Sequence, residues 1–436
     1  MRNNIVHIGA GKLTYEIRAI VEIAEKLAQL GIKTNMENIG DPIAKGEKIP
    51  DWMKQIVADL AMQDCSYGYC ATKGVLETRE FLAERTNKRG KAQITADDVV
   101  FFNGLGDAIQ KVYGFLKREA RVIGPSPTYS THSSGEAAHA GQAPVSYRLD
   151  PDNSWYPDLD DLRLSIKYNP AICGLLIINP DNPTGAVYPE RILVEMLELA
   201  RKYDLFVICD EIYHNIIYNG ESTRPISDLI GDIPAIAMKG ISKDLPWPGS
   251  RCGWIEIYNR DKDPMFEQYI QSIVNSKMVE VCSTTLPQKA IPKILSHEQY
   301  PVYLEERTSR YEKFSNIAYN ILKDVPGIKV NRANGAFYMS VAFKRDLLKA
   351  DGTLPIENAE VRSMIEDLVA DPATSPDKRF VYYLLASTGI CTVPLSSFST
   401  AEQGFRITLL EQNEKEFTHV FKTIAKSISA YLKSES

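Results

Sequence analysis

The sequence predicts an α/β protein whose larger part is a mostly parallel sheet covered by helices on both faces, with a smaller α+β domain beside it. Three observations support this fold class: short apolar runs alternate with amphipathic stretches in the middle of the chain, the pattern changes after about residue 300, and the chain has 436 residues. That length allows two domains, or one large core with a smaller satellite. We predict a large domain at residues 51–305 and a small domain formed by residues 1–50 and 306–436.

The apolar runs of the middle region have the length and composition of buried strands. They are VVFFNG at 99–104, GLLIIN at 174–179, LFVICDEIY at 205–213, AIAMKGIS at 235–242 and GWIEIYN at 253–259. Residues 107–118 and 190–203 place their apolar side chains on one face of a helix. Continuous apolar strands that alternate with helices indicate a mostly parallel sheet buried on both faces. In such sheets, ligands bind beyond the carboxyl ends of the strands.

The two ends of the chain are predicted to pack together as the small domain. Residues 15–31 show a helical pattern that ends at Gly31. A long polar helix is expected at about residues 301–323, and the segments VPGIKV, GAFYMSVAF and GFRITLL follow it as short strands.

Composition and charge argue against several classes of protein. Hydrophobic residues make up 44% of the chain and charged residues 24%, as in ordinary globular proteins. The net charge of -6 argues against nucleic acid or an anionic membrane as the main partner. No apolar run has the length of a membrane span, and the N-terminus lacks a signal-peptide core. The 7 cysteines, an odd number without C-x-x-C spacing, predict buried free thiols in a cytoplasmic protein.

Two glycine-rich segments look like nucleotide-binding loops. GAGKLT at 9–14 lacks both the third glycine of a dinucleotide fingerprint and the spacing of a P-loop, so we interpret it as an N-terminal arm. NGLGDA lies between a predicted strand and a helix, where the N–H groups of Gly104, Leu105 and Gly106 would form an anion site. A plain tight turn explains this second segment equally well. The 6 histidines show no spacing typical of a metal site.

Polar side chains follow two of the predicted strands. In INPDNPTGAVY, prolines and Gly185 would fix the backbone and aim the amide of Asn182 at one point, although a simple strand-ending turn is an equal alternative. Asp210 lies at the end of the next apolar strand. A carboxylate buried there needs a partner, unless it caps a helix.

A lysine lies just beyond a third predicted strand. Lys243 follows Ser242, and Arg251 lies eight residues further on, behind two prolines and Gly249. Lysines and arginines are common in loops, so this pair alone is weak evidence for a site.

Together these signals fit one ligand, a phosphorylated aromatic cation that reacts with a lysine. The helix start and Arg251 would hold its phosphate, and Lys243 would form a Schiff base. Asp210 would pair with a pyridinium nitrogen, while Asn182 and Tyr213 would bond a phenolate oxygen. That ligand is pyridoxal 5'-phosphate.

The motif order resembles that of the class I and II aminotransferases of fold type I, which depend on this cofactor. From about residue 38 to 410 the motifs are YCATKG, NGLG, PSPTYS, NPDNPTG, DEIY, SKDLPWPGSRCG, GAFYM and FRITLL. The N-terminal segment, SWYPDLDDL and STGICTVPLSSF resemble the alanine (glutamate–pyruvate) aminotransferase branch.

The resemblance implies transamination between an L-amino acid, with an alanine-type donor favoured, and a 2-oxo acid such as 2-oxoglutarate. Lyase or decarboxylase chemistry on the same fold stays open. So does an aminotransferase for aromatic or sulfur-containing amino acids.

The resemblance also implies roles for individual residues around the cofactor. Lys243 would be the Schiff-base lysine and proton shuttle, and Asp210 would keep the ring nitrogen protonated. The other implied cofactor contacts are to O3' (Asn182 and Tyr213), to the ring face (Tyr129) and to the phosphate (Gly104, Leu105, Gly106, Ser242 and Arg251).

Further residues would contact the substrate or a neighbouring subunit. Arg406 would hold the substrate α-carboxylate in a bidentate fork, and Gly40 and Asn182 would lie against the substrate. Tyr69, five residues before Gly74, would reach the phosphate in the neighbouring subunit, which implies a homodimer with shared active sites.

The chain departs from the family pattern in three places. Gly240 stands where many members have a serine that binds phosphate. Leu395, in PLSSF, stands where the alanine branch usually has glycine, and the loop DLPWPG at 244–249 has an unusual tryptophan and two prolines. We expect Leu395 and this loop to lie near the substrate side chain, so the amino donor stays open.

Overall fold

The structure is a computed structural model that describes residues 5–13 and 16–434. Residues 1–4, 14–15 and 435–436, which the small-domain prediction includes, lie outside the described residues. None of the helices in the described part of the chain is long and apolar enough to cross a membrane.

The α-helices of the described residues alternate with strands through the middle of the chain. They are α1 (Glu16–Gln29), α2 (Asp51–Ala61), α3 (Leu76–Arg89), α4 (Leu105–Gly114), α5 (Ser130–Ala140), α6 (Leu159–Tyr168), α7 (Glu190–Lys202), α8 (Ile226–Leu229), α9 (Pro264–Glu280), α10 (Thr285–Leu295), α11 (Tyr300–Leu322), α12 (Ala359–Val369), α13 (Pro376–Thr388) and α14 (Glu414–Lys433).

The strands form three sheets. They are β1 (Asn35–Met36), β2 (Val99–Phe102), β3 (Arg121–Ser126), β4 (Ser146–Asp150), β5 (Tyr156–Pro157), β6 (Ile172–Ile178), β7 (Phe206–Asp210), β8 (Ala235–Gly240), β9 (Gly253–Tyr258), β10 (Ile328–Val330), β11 (Tyr338–Phe343), β12 (Ile390–Cys391), β13 (Val393–Pro394) and β14 (Gly404–Thr408).

The large sheet has 8 strands in the order β2-β9-β8-β7-β6-β3-β4-β5. Neighbours from β4 through β3, β6 and β7 to β8 run parallel. β9 runs antiparallel to both β8 and β2, and β5 runs antiparallel to β4. The predicted mostly parallel, helix-covered sheet is therefore confirmed.

Two apolar cores lie on the opposite faces of this sheet. In β2, Val99 and Phe101 belong to one core, and Val100 and Phe102 belong to the other. Successive side chains of a strand point to opposite faces, so a strand covered on both sides reads as a continuous apolar run. This burial explains why the strands stand out in the sequence.

A separate antiparallel sheet, in the order β10-β11-β14-β13, belongs to the other part of the fold. Its core combines side chains from both ends of the chain, such as Leu27 of α1 and Ile424 of α14. The pairing of β1 with β12 also joins the two ends. The domain boundaries stay a prediction, and α11 crosses the one between residues 305 and 306.

Two predicted elements end at least three residues earlier than expected. The helix predicted at 107–118 is α4, which ends at Gly114, a poor helix former. The strand predicted at 205–213 ends at Asp210, and the next residues form a turn that carries Tyr213 away from the sheet.

All seven cysteines are unpaired, as the sequence indicates, but they are not all buried. Cys209, Cys252 and Cys391 are buried, whereas Cys65 is exposed.

Candidate active site

A cavity of about 650 Å³ opens where β6, β7 and β8 end. Asn182 follows β6, Asp210 ends β7 and Lys243 follows β8, and all three line the cavity. These strands are parallel neighbours, so their carboxyl ends meet at one edge of the sheet. Arg406 of β14 and Tyr338 of β11 complete the wall from the second sheet.

Most of the predicted site residues line this cavity. They are Gly40, Leu105, Gly106, Tyr129, Asn182, Asp210, Tyr213, Ser242, Lys243, Arg251 and Arg406.

The first turn of α4 and Arg251 form an anion cradle at one end of the cavity. Gly104 precedes the helix with φ at 85°, a backbone conformation that favours glycine. A Cβ on Gly104 would lie 2.5 Å from Nη2 of Arg251, so a side chain there would fill the cradle. The N–H groups of Leu105 and Gly106 lie in the first turn, where the helix itself offers them no acceptor. Such an arrangement binds phosphate readily.

The charge of Arg251 is available for this anion. Within the part of the chain that the structure describes, its guanidinium donates only to the carbonyl oxygens of Pro248 and Asn103, each at 3.3 Å. Both partners are neutral, so the cation keeps its full attraction for a negatively charged ligand.

The carboxylate of Asp210 is buried and is held by a histidine that the sequence analysis did not identify. Its Oδ2 lies 3.1 Å from Nε2 of His132, and its Oδ1 accepts from the N–H of Ile212 at 3.1 Å. The hydroxyl of Tyr113 lies 3.3 Å from Nδ1 of the same ring. Burial raises the pKa of Tyr113 well above its usual range, so its hydroxyl keeps its proton. A carboxylate oxygen only accepts hydrogen bonds, so Nε2 of His132 carries a proton and donates it to Asp210.

The feature of the sequence that could have identified His132 as a site residue is its position. It lies three residues after Tyr129, so the two side chains are neighbours across one turn at the start of α5. Their rings are 6.3 Å apart, edge to face.

The amide of Asn182 is fixed by a tight turn after β6. Asp181 accepts from the N–H of Thr184 at 3.1 Å and from its hydroxyl at 2.5 Å. Burial raises the pKa of Asp181 to about 7. Gly185 has φ at 73°, and a Cβ there would lie 2.3 Å from a backbone oxygen of β11. Oδ1 of Asn182 then accepts from Nη1 of Arg406 at 3.2 Å, so the turn aims this amide into the site.

Arg406 is 2% exposed and has only neutral partners among the described residues. Its Nη2 donates to the carbonyl of Asn38 at 2.6 Å, and its Nη1 donates to Asn182. The guanidinium lies 4.4 Å from the ring centre of Tyr338 and 5.0 Å from that of Phe398. Its Nε is buried without a hydrogen-bond partner in the described structure. A carboxylate ligand would supply the missing acceptor and charge.

The amine of Lys243 lies between the N-terminal segment and an aromatic group. Nζ donates to the carbonyl of Gly40 at 2.7 Å and lies 5.6 Å from the ring centre of Phe337. A Cβ on Gly40 would lie 1.9 Å from the hydroxyl of Tyr338, so this close approach requires glycine. That hydroxyl also accepts from Tyr213 at 3.2 Å. Tyr338 belongs to the motif GAFYM, but the motif did not predict a role for this tyrosine.

Some of the residues that were singled out in the sequence do not line the cavity. Tyr69 is 86% exposed and does not line the cavity. The expectation that Leu395 lies near the substrate is corrected, because this apolar side chain is fully buried in the core behind the wall. Within the loop 244–249, Pro248 does line the cavity. A Cβ on Gly240 would lie 3.1 Å from the carbonyl oxygen of Cys252, so a serine would be crowded there.

Comparison with known proteins identifies the family. Residues 37–424 match the model of the aminotransferase class I and II family. The chain is 59% identical over 434 residues to an uncharacterized aminotransferase of Methanocaldococcus jannaschii, covering 100% of each. It is 31% identical over 329 residues to the glutamate-pyruvate aminotransferase of Escherichia coli K12, covering 74% of this chain and 79% of that protein. A solved alanine aminotransferase from Pyrococcus furiosus matches with a TM-score of 0.81 at 29% identity, covering 96% and 98%.

The chain belongs to the class I and II aminotransferases, which have fold type I and depend on pyridoxal 5'-phosphate. It is an enzyme that transfers amino groups. The donor set of the cavity fits this cofactor: a phosphate-sized cradle that a Cβ on Gly104 would fill, a buried carboxylate and an amine.

We predict that His132→Phe lowers kcat/KM by about 10- to 100-fold, the equivalent of one hydrogen bond to a charged group. Among the described residues, the change leaves the carboxylate of Asp210 with one hydrogen bond, which comes from the backbone N–H of Ile212. Tyr113→Phe is the matched control, because it removes the neighbouring hydroxyl but keeps the bond from His132 to Asp210, and it should cost less. Steady-state kinetics with any accepted donor measures both variants. A folded His132→Phe enzyme with unchanged kcat/KM would contradict this role.

Proposed function

We propose that this aminotransferase exchanges the amino group between an alanine-type L-amino acid and a 2-oxo acid such as 2-oxoglutarate, with pyridoxal 5'-phosphate held in the cavity. The observation that carries the proposal is the buried guanidinium of Arg406, which has no carboxylate partner among the described residues and lines the same cavity as the amine of Lys243. A buried cation without a counter-ion is costly, so the site is built to receive an anion.

The cofactor contacts that we propose follow from the polar groups around the cavity. Asp210 would hold a proton on the ring nitrogen, because a buried carboxylate favours a cationic partner. Tyr129 would cover the ring face, and Asn182 and Tyr213 would bind its O3'. The phosphate would lie in the cradle of Gly104, Leu105, Gly106, Ser242 and Arg251.

Each of these residues would then have a separate role in transamination. When bound, the cofactor supplies an electron sink for the negative charge that develops at the substrate α-carbon. Arg406 binds the substrate α-carboxylate and so orients the α-carbon. Nζ of Lys243 would take the α-proton as the general base and, as the general acid, would deliver a proton to the cofactor atom C4' and not back to the α-carbon. His132 keeps Asp210 in place through its hydrogen bond.

The charges of the cavity wall support a donor with an uncharged side chain. The lysine and arginines of the described wall are Lys243, Arg251 and Arg406, and the proposal assigns the first two to the cofactor and the third to the α-carboxylate. Val21 and Ile39 add apolar surface to the wall. The second carboxylate of 2-oxoglutarate would then need a cation from outside this part of the wall, such as one on a partner subunit.

We also propose a homodimer in which Tyr69 reaches the phosphate in the partner subunit. Tyr69 is 86% exposed, and the nearby Met62 and Tyr67 are 86% and 78% exposed. Exposed apolar residues that lie together are typical of an interaction surface. The unpaired cysteines support a reducing compartment, which agrees with a cytoplasmic enzyme of amino-acid metabolism.

Lys243→Ala should abolish both the visible absorbance of the lysine-bound cofactor and turnover. The general base alone accounts for at least about a 100-fold effect. Lys54→Ala, a change of an exposed lysine on α2, is the control and should behave as wild type. Absorbance spectra and steady-state rates provide the readouts. Normal turnover of the Lys243→Ala enzyme would rule out the assigned role.

Substrate choice is tested by half-reactions with alanine, glutamate, aspartate, methionine and phenylalanine. Alanine and glutamate should react fastest. Arg406→Ala should lower kcat/KM for every donor by a similar factor, equivalent to about 2–5 kcal/mol, because it removes the same buried contact in each case. Arg406→Lys should cost less, since it loses the fork but keeps the charge.

Two results of that comparison would favour other functions. Fast reaction with phenylalanine or methionine and slow reaction with alanine and glutamate would indicate an aromatic or sulfur-specific aminotransferase. Release of ammonia and a 2-oxo acid from a donor without any acceptor would indicate a lyase.

The shared site of the homodimer is tested by mixing two impaired variants. If Tyr69 completes the partner's site, mixing Lys243→Ala with a severely impaired Tyr69→Ala enzyme should restore activity, because some heterodimers contain one intact site. Activity is measured after subunit exchange, which native mass spectrometry verifies. If exchange occurs without recovery, each chain builds its own site.

A further inference from the structure

An arginine behind the cavity uses its whole guanidinium to join Lys243 to the N-terminal segment. Arg307 of α11 is 2% exposed. An arginine has five N–H donors, and here five hydrogen bonds use them. Nη1 donates to the carbonyl oxygens of Lys243 (2.8 Å) and Asp244 (2.6 Å). Nε donates to Oε1 of Glu47 (2.5 Å). Nη2 donates to Oε2 of Glu47 (3.4 Å) and to the hydroxyl of Tyr311 (3.0 Å).

These bonds hold Lys243 from its backbone end, while Gly40 holds it from its side-chain end. Nζ of Lys243 donates to the carbonyl of Gly40, which lies in the same N-terminal segment as Glu47. The carboxylate of Glu47 also accepts from the hydroxyl of Tyr311 at 3.1 Å, so its position is fixed by α11 as well. The hydrogen bonds from Arg307 to Glu47 therefore connect the backbone of Lys243 to the N-terminal segment that binds its amine.

The carbonyl groups of Lys243 and Asp244, which accept from Arg307, lie outside the sheet. β8 ends at Gly240, so Lys243 and Asp244 lie in the loop beyond it. A lysine side chain has four rotatable bonds, and its amine can be placed accurately only if its backbone is fixed. A misplacement of about 1 Å in such a group can cost about 100-fold in rate.

We propose that Arg307 is a positioning residue for Lys243, which sets the distance between the amine and the substrate-side segment at Gly40. This inference rests on the proposed function, in which Lys243 moves the substrate α-proton. Arg307 does not line the cavity. It acts through the backbone of Lys243 and through Glu47.

The test compares Arg307→Lys with Arg310→Lys. Arg310 lies on the same helix and pairs with the same carboxylate, Oε2 of Glu47 at 2.9 Å, but its hydrogen bonds go to Gln412 and Tyr311 and not to the loop. Both substitutions keep the charge. Arg307 binds Glu47 through Nε and Nη2 and the loop carbonyls through Nη1, whereas a lysine has a single nitrogen that cannot occupy these separate positions at once.

Arg307→Lys should lower kcat by at least about tenfold and change KM by less than about threefold, because the loss lies in the placement of Lys243 and not in substrate binding. The kinetic isotope effect with the fastest donor, deuterated at its α-carbon, should rise, because proton transfer becomes slower relative to the other steps. The visible circular dichroism of the bound cofactor, a readout that needs no turnover, should weaken. Arg310→Lys should match the wild type in all three measurements.

The other outcomes of this test contradict either the positioning role of Arg307 or the proposed function. If Lys243→Ala is inactive but Arg307→Lys equals Arg310→Lys, the positioning role is wrong and the proposed function stands. If Lys243→Ala is active, the proposed function itself fails. If Arg307→Lys does not fold, Glu47→Gln decides, because it keeps the loop contacts of Arg307 and weakens the link to the N-terminal segment. An unchanged isotope effect and dichroism in folded Glu47→Gln would overturn the positioning role.

Discussion

The parallel pairing of β6, β7 and β8 is the constraint on which the cavity depends. Neighbouring strands of a sheet lie about 4.8 Å apart, so groups at their carboxyl ends are brought within reach of one ligand. Ile178 pairs with Asp210, and Asp210 pairs with Met238, so the three strands end at nearly the same level. A shift of one residue in β7 would turn Asp210 to the opposite face of the sheet and away from His132. The register of an apolar sheet thus determines where the carboxylate of Asp210 lies.

The other half of the cavity comes from distant parts of the chain, and hydrogen bonds join it to the sheet edge. Arg406 donates to Asn182, and Lys243 donates to Gly40. Each bond crosses from the large sheet to a segment contributed by one end of the chain. The substrate-side wall and the cofactor-side wall are therefore not independent, and a change in one alters the position of groups in the other.

The sequence predicted the parts of the fold and site that depend on local patterns. Strands buried on both faces are continuous apolar runs, and the motifs at their ends place Asp210 and Lys243 at one edge. His132 and Arg307 were not predicted, because their roles depend on contacts between elements that are distant in sequence. α5 buries polar side chains, and α11 is a long polar helix, so the pattern does not show which polar residue is buried. Leu395 was misplaced for the same reason, since a family motif gives a position in the chain and not the direction of a side chain.

If Arg406 binds the substrate carboxylate as proposed, its neutral surroundings link the stability of the enzyme to its metabolites. The folded protein carries a desolvated charge that an apolar side chain of similar size would avoid, and such replacements often leave a protein equally or more stable. An amino acid or 2-oxo acid that binds only the folded state supplies the counter-ion and shifts the folding equilibrium toward it. The concentration of these metabolites thus influences how long a molecule of the enzyme stays folded. Retaining the arginine sacrifices intrinsic stability for affinity, as is common at functional sites.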